Sequence, residues 1–246
     1  MNYLNKTKNE NKMKFFADFI VQCLTLLRKG HIIYKDLHYA NIVLMYLYIS
    51  LIDFHISMEY KNKNQNLENH HFLGARRLCP PEMEKGFVYD FNSDYYRLGS
   101  MLYFLLFNKY PNDVKEKKNI SDITINFNET KNYSYSFIDF INKLIVNDFH
   151  KRIGFNNIEE LKNHELYKSF NWSQLIDGKI ISPFEKIKRD NLGLCNYHHK
   201  FNKIFFIRTN NLGNRTFKNI LFTYYNINNY IVSDIYNSIT NSIDIK

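Results

Sequence analysis

The sequence predicts a mainly α fold of the α+β class, with one small β-hairpin and an irregular tail. Three observations carry that expectation. Apolar residues recur at helical spacing in residues 15–27 and again in 137–145. A third stretch, "NSDYYRLGSMLYFLLFNKYP", is apolar on nearly every face, which places it in the middle of a domain. The longest apolar run, "IVLMYLYISLI", is 11 residues long and reads as two buried strands around a turn.

The elements follow in order. Residues 1–13 are a polar lead-in. Phe15, Phe16, Phe19, Ile20, Cys23, Leu24 and Leu27 then form one helix face, with Asp18, Gln22, Thr25 and Arg28 opposite. That makes about four turns. Gly30 is expected to end the helix in the left-handed conformation that glycine adopts cheaply. Strands are expected at 42–44 and 50–52, and an irregular polar segment at 56–71. A capping cluster of Asn92, Ser93 and Asp94 opens the buried helix and Pro111 closes it. Residues 112–133 read as loop. Phe137, Phe140, Ile141, Leu144 and Ile145 mark an amphipathic helix, and a shorter one follows near 158–164. Beyond Phe184 the pattern decays into an Asn-rich tail. The chain divides into a lead-in (1–13), a main domain (14–170) and a partly irregular C-terminal extension (171–246).

Composition narrows the function. A hydrophobic content of 45% with 17% aromatics suffices for a real core. The net charge of +9 comes from lysines scattered through polar runs such as "NKTKNENKMK", which argues against a nucleic-acid partner. Three widely spaced cysteines, Cys23, Cys79 and Cys195, suggest reduced thiols in an intracellular, cytoplasmic protein. No apolar run is long enough to span a bilayer. Cys195, His198 and His199 have zinc-ligand chemistry, but a closed site needs a fourth ligand, so local aromatic packing is the expectation there. His70 and His71 belong to a solvated Asn-rich insertion.

One stretch, "HIIYKDLHYANIVL" at 31–44, sets polar residues between apolar runs. Phosphoryl transfer needs a carboxylate to orient the attacking hydroxyl and oxygen ligands to hold Mg²⁺ on the phosphates. Asp36 suits the first task. Asn41, five residues on, and Asp53, at the end of the second strand, suit the second. The same residues would also serve as turn caps, and a lone D-x-x-x-x-N does not decide between the two.

Further motifs run colinearly with this one. "YKDLHYAN" stands where protein kinases have Y-R-D-L-K-P-E-N, and "DFHI" where they have D-F-G. "FLGARRLCPPEM", "DFNSDYYRLG", "LIVNDFHKRIG" and "IEELKNHELYKSFNWSQLIDGKIISPF" follow in family order. Over residues 14–184 the chain thus resembles the protein kinase family. It is most similar to the AGC-type, basophilic Ser/Thr kinases that include the cyclic-nucleotide-dependent enzymes. The F-x-W end points to the cyclic-GMP-dependent branch.

The resemblance implies the large, C-terminal lobe of a kinase, with its hairpin at the catalytic loop. It implies transfer of phosphate from ATP, with Mg²⁺, to Ser or Thr of a protein substrate. On this reading Asp36 orients the hydroxyl, Asn41 and Asp53 hold Mg²⁺, and Val43 lies beneath the adenine. Phe54 packs beside Tyr34, Glu82 pairs with Arg152, and Asp94 accepts hydrogen bonds from the catalytic-loop backbone.

The departures are equally specific. His38 replaces the family's catalytic lysine and supplies less charge. His55 replaces the D-F-G glycine, where strain is expected if the backbone is left-handed. His71 and Ala75 stand at two threonine positions. With no G-x-G pair and 35 residues before Asp36, the small lobe is expected to be missing, which leaves ATP and Mg²⁺ binding conditional on one. The alternative reading is a catalytically dead, pseudokinase-type module that docks a protein partner. In the tail, "LFTYYN" faintly resembles the hydrophobic F-[ST]-Y motif of these kinases, against local aromatic packing.

Overall fold

The computed structural model describes residues 9–45, 48–60, 76–84, 86, 89–118 and 122–183. In chain order its elements are α1 (Glu10–Lys29), β1 (Ile32–Ile33), β2 (Ile42–Met45), β3 (Tyr48–Leu51), β4 (Met58–Glu59) and α2 (Pro81–Glu84). They continue with α3 (Phe91–Phe107), α4 (Pro111–Lys118), α5 (Tyr135–Leu144), α6 (Glu159–Lys162) and α7 (Trp172–Ile176). The fold is mainly helical, with two small antiparallel sheets, β1–β4 and β2–β3.

Helix α1 begins inside the polar lead-in, four residues before the expected start at residue 14. Asn9 caps it by accepting from Lys12 N at 3.3 Å, while Glu10 and the pair Arg28–Lys29 suit the two ends of the helix dipole. Gly30 is its C-cap, as expected, but not in the left-handed conformation: its φ is −82°, and its N–H still bonds Leu26 O at 2.9 Å. The left-handed reversal falls one residue later, on His31 at φ 55°. The polar face is not solvent-facing either: Asp18, Gln22 and Thr25 are all buried. A later segment covers part of it, with Lys162 Nζ donating to Gln22 Oε1 at 2.8 Å, and within the helix Lys14 Nζ donates to Asp18.

Helix α3 runs through the core, with residues 92–106 buried apart from Phe104. Its cap is Asp90, not the Asn92–Asp94 cluster: Asp90 Oδ1 accepts from Asn92 N, and Ser93 completes a capping box. Asn108, left-handed at φ 55°, ends it. Pro111 does not close α3 but opens α4, where its missing N–H costs nothing. That helix corrects the expectation of loop from 112 onward. Against α3 packs α5, capped by Ser134, and Gly99 lies in the contact between them. A Cβ there would lie 2.6 Å from Leu144 Cβ.

In the hairpin β2–β3, Ile42 faces Leu51 and Val43 faces Ser50. Residues 58–59, expected to be irregular, pair with β1. Distant segments are tied by polar contacts. Arg28, at the end of α1, donates to Tyr95 Oη at 2.9 Å and to the carbonyls of Gly154 and Asn156 at 2.6 and 3.2 Å. Among the described residues no helix is long and apolar enough to cross a membrane. The readings for His70, His71, Ala75, Cys195, His198, His199 and the "LFTYYN" segment fall outside the described residues.

Candidate active site

The segment from Tyr34 to Asn41 hangs between β1 and β2, and α3 holds its backbone. Asp94, in the first turn of α3, accepts from Tyr34 N at 2.9 Å and from Lys35 N at 3.1 Å. Three non-glycine residues around this segment are left-handed: His31 (φ 55°), Lys35 (φ 69°) and Asp53 (φ 60°). Such positions cost energy and concentrate where a site needs a fixed backbone. The strain expected at His55 lies instead on Asp53, the residue whose carboxylate the site would use.

Asn41 joins the parts. Its Nδ2 donates to Asp36 Oδ2 at 2.8 Å and to Asp36 O at 3.0 Å, while its backbone O accepts from Ile52 N at 2.9 Å. Asp36 is therefore fixed to the residue that anchors the chain beside Asp53. Tyr34 lies underneath. Its hydroxyl bonds Ile52 O, and its ring meets Phe54 edge-on at 4.9 Å between centroids. Burial pushes the Tyr34 phenol well above its ordinary range, and the charges of Asp36, Asp94 and Asp53 push it further. All three carboxylates thus act on one ring.

Two histidines face the pair of acids. His38 Nε2 lies 3.4 Å from Asp36 Oδ1, while its Nδ1 accepts from Ala40 N at 3.2 Å and caps the turn. His55 Nδ1 bonds Asp53 Oδ1 closely, and this hydrogen bond is the main cause that holds the Asp53 carboxyl below the usual range. The environments of Asp36 and Asp53 differ. The Asp36 side chain is 11% exposed and that of Asp53 44%, so one acid is sheltered and the other open. Val43 sits on β2 by its backbone, and the expectation for its side chain lies outside the described residues.

The donor chemistry suits a hard cation. With Nδ2 committed to Asp36, Asn41 offers Oδ1, and Asp53 offers a solvent-facing carboxylate. Among the described residues no group of three His, Cys, Asp or Glu side chains is placed to hold a metal ion.

Behind the site, Glu82 and Arg152 form a bidentate pair at 2.7 and 2.9 Å, with both side chains buried. Arg152 uses its remaining donors on Val146 O and Asn92 O, and Ser93 Oγ donates to Glu82. Sequence reasoning overlooked Tyr89, whose hydroxyl donates to both Lys35 O and Asp94 Oδ1 at 3.3 Å. Nothing in its local pattern distinguishes it from other core aromatics.

The sequence pattern of the protein kinase domain matches residues 1–167. The chain belongs to the protein kinase family. Similar proteins include the serine/threonine-protein kinase Sgk1 of Xenopus tropicalis, 31% identical over 179 residues, which covers 71% of this chain and 42% of that protein. Another is YPK2/YKR2 of Saccharomyces cerevisiae, 26% identical over 197 residues, covering 78% of this chain and 28% of the relative. A third, sgk-1 of Caenorhabditis elegans, is 26% identical over 200 residues, with 80% and 43% covered. This kinase-family chain spans less than half the length of these relatives. They support the AGC-type Ser/Thr class and do not support the narrower cyclic-GMP-dependent branch.

Proposed function

We propose that the chain provides the large-lobe half of a Ser/Thr protein kinase active site, working with a nucleotide-covering small lobe. The observation that carries this is the double engagement of Asn41, with Asp36 through its side chain and with the strand end before Asp53 through its backbone. Asp36 accepts the hydrogen bond of a substrate Ser or Thr hydroxyl and aims its oxygen at the phosphate to be transferred. Its carboxylate is held for this by the Asn41 amide, and its backbone by the bonds from Tyr34 and Lys35 to Asp94. Asn41 Oδ1 and Asp53 would hold Mg²⁺, which would supply positive charge against the ATP phosphates. His38, beside Asp36, takes the place from which a cation faces the transferring group; in its neutral form it donates a hydrogen bond without the charge.

The test is radiolabel transfer from ATP to a mixture of Ser/Thr peptides by the longest natural polypeptide that contains this chain. Asp36→Asn keeps the shape and removes the acid, and is expected to lower turnover by at least 10²-fold. Transfer that survives the substitution would remove Asp36 from the mechanism.

A second reading, a docking module without turnover, is favoured by one observation: histidines engage both acids. Calorimetry with MgATP separates the two, since the module reading expects no heat at millimolar nucleotide.

A further inference from the structure

Helix α3 carries Arg97 one turn beyond Asp94, with no exposure to solvent. Burying a guanidinium is costly unless its charge is used. The Arg97 guanidinium lies 5.5 Å over the ring of Tyr89. The hydroxyl of the same tyrosine bonds Asp94 and Lys35 O. Lys35 also faces this ring, with Nζ 5.8 Å from its centroid. Two cations and one carboxylate therefore share the chamber under the catalytic loop.

We infer that Arg97 is a positioning residue: its buried charge keeps Asp94 ionised, and ionised Asp94 holds the Tyr34 and Lys35 amides, and through them Asp36, in place. An ionised carboxylate makes hydrogen bonds to N–H groups about twice as strong as a neutral acid does. Burial pushes the Asp94 carboxyl up to about 6, and the attraction of Arg97 is the largest effect opposing it, ahead of the bonds from Tyr34 and Lys35. Arg97 follows Asp94 at i,i+3, a spacing that sets two side chains on one helix face. The other groups facing Asp94 are Tyr34 and Lys35 from the loop, Tyr89 from the segment before α3, and Tyr95 from α3 itself. Burial raises all three phenols, so they stay neutral. Burial lowers the Lys35 ammonium, and Asp94 and Arg97 pull it in opposite directions.

The consequence for turnover rests on the kinase reading; the geometry does not. The test therefore reads backbone amides and not phosphate, so either idea can fail alone. Hydrogen exchange at Tyr34 and Lys35 in the full chain, corrected for intrinsic rates, is followed from about pH 5 to about pH 8. In the parent, protection of these two amides falls as pH drops through about 6. In Arg97→Met, which keeps bulk and loses charge, the midpoint is expected to rise above that of the parent. The ionised fraction at pH 7, and with it protection, then falls. Arg97→Lys is expected to restore most of it. An unmoved midpoint in Arg97→Met, or equal loss at all amides and every pH, overturns the inference, as does failure of Arg97→Lys to restore. Should Arg97→Met not fold, the carbon-13 shift of the Asp94 carboxyl in the parent decides. An ionised group at pH 7.5 supports the role, and a protonated one overturns it.

Discussion

Asp18 shows how one residue can make stability depend on pH. It is 3% exposed, and burial pushes its carboxyl up to about 7 against the opposing pull of Lys14, 3.1 Å away. A folded-state value above the unfolded 3.8 means the protonated acid is the form the fold prefers. Its contribution is complete below pH 4 and is lost as pH rises towards 7. Asp18→Asn is expected to match the parent near pH 3.5 and to exceed it by on the order of 3 kcal/mol at pH 8. Thermal denaturation across pH checks this, and parallel pH curves for the two proteins would refute it. In the sequence Asp18 belongs to the polar side of an amphipathic helix. Periodicity sees only one helix at a time, and the segment that covers this face, around Tyr167 and Phe170, lies roughly 150 residues later. Lys14 caps it with its ammonium 4.0 Å over the Phe170 ring.

At the scale of elements, the α3–α5 contact depends on Gly99. An added methyl would meet Leu144 Cβ at 2.6 Å and Leu144 C at 3.2 Å, and a backbone atom cannot swing away. Gly99→Ala should cost about 1–3 kcal/mol through overpacking, despite the better helix propensity of alanine. Chemical denaturation should show a lower midpoint at unchanged slope. Elements with strong apolar periods were readable from sequence: α5 and the buried run of α3 lie where their patterns put them. Helix α4 was not, because "PNDVKEKK" has no apolar period. It forms through its opening proline, early aspartate and closing lysines, signals that a loop also tolerates. Gly30 caps α1 as its place in the sequence predicts, but the left-handed turn falls on His31, because the Gly30 amide still bonds back to Leu26. In the site, Asp36, Asn41 and Asp53 stand out by residue type and spacing. Tyr89 and Arg97 do not, because their roles exist only across segments.

At the scale of the molecule, one buried pair ties residues 70 positions apart. Arg152 sits between Glu82, Val146 and Asn92, with Tyr96 beneath it at 5.0 Å. Glu82→Gln leaves a guanidinium short of its counter-charge and should destabilise by about 3–5 kcal/mol. Glu82→Met with Arg152→Met together should recover part of that loss, because no charge remains stranded. Equal losses for the single and the double variant would mean packing, not charge, explains the site. An exposed pair such as Lys168–Glu165, at 3.1 Å, should contribute under about 1 kcal/mol when removed in the same assay.

The reach of Arg28 has a consequence for synthesis. The acceptors of its side chain lie 67 to 128 positions further along the chain. At ribosomal speeds of about 5–20 residues per second, the Arg28 guanidinium waits on the order of ten seconds for the last of these acceptors to emerge. Until then the end of the first helix is not tied to the C-terminal part of the domain.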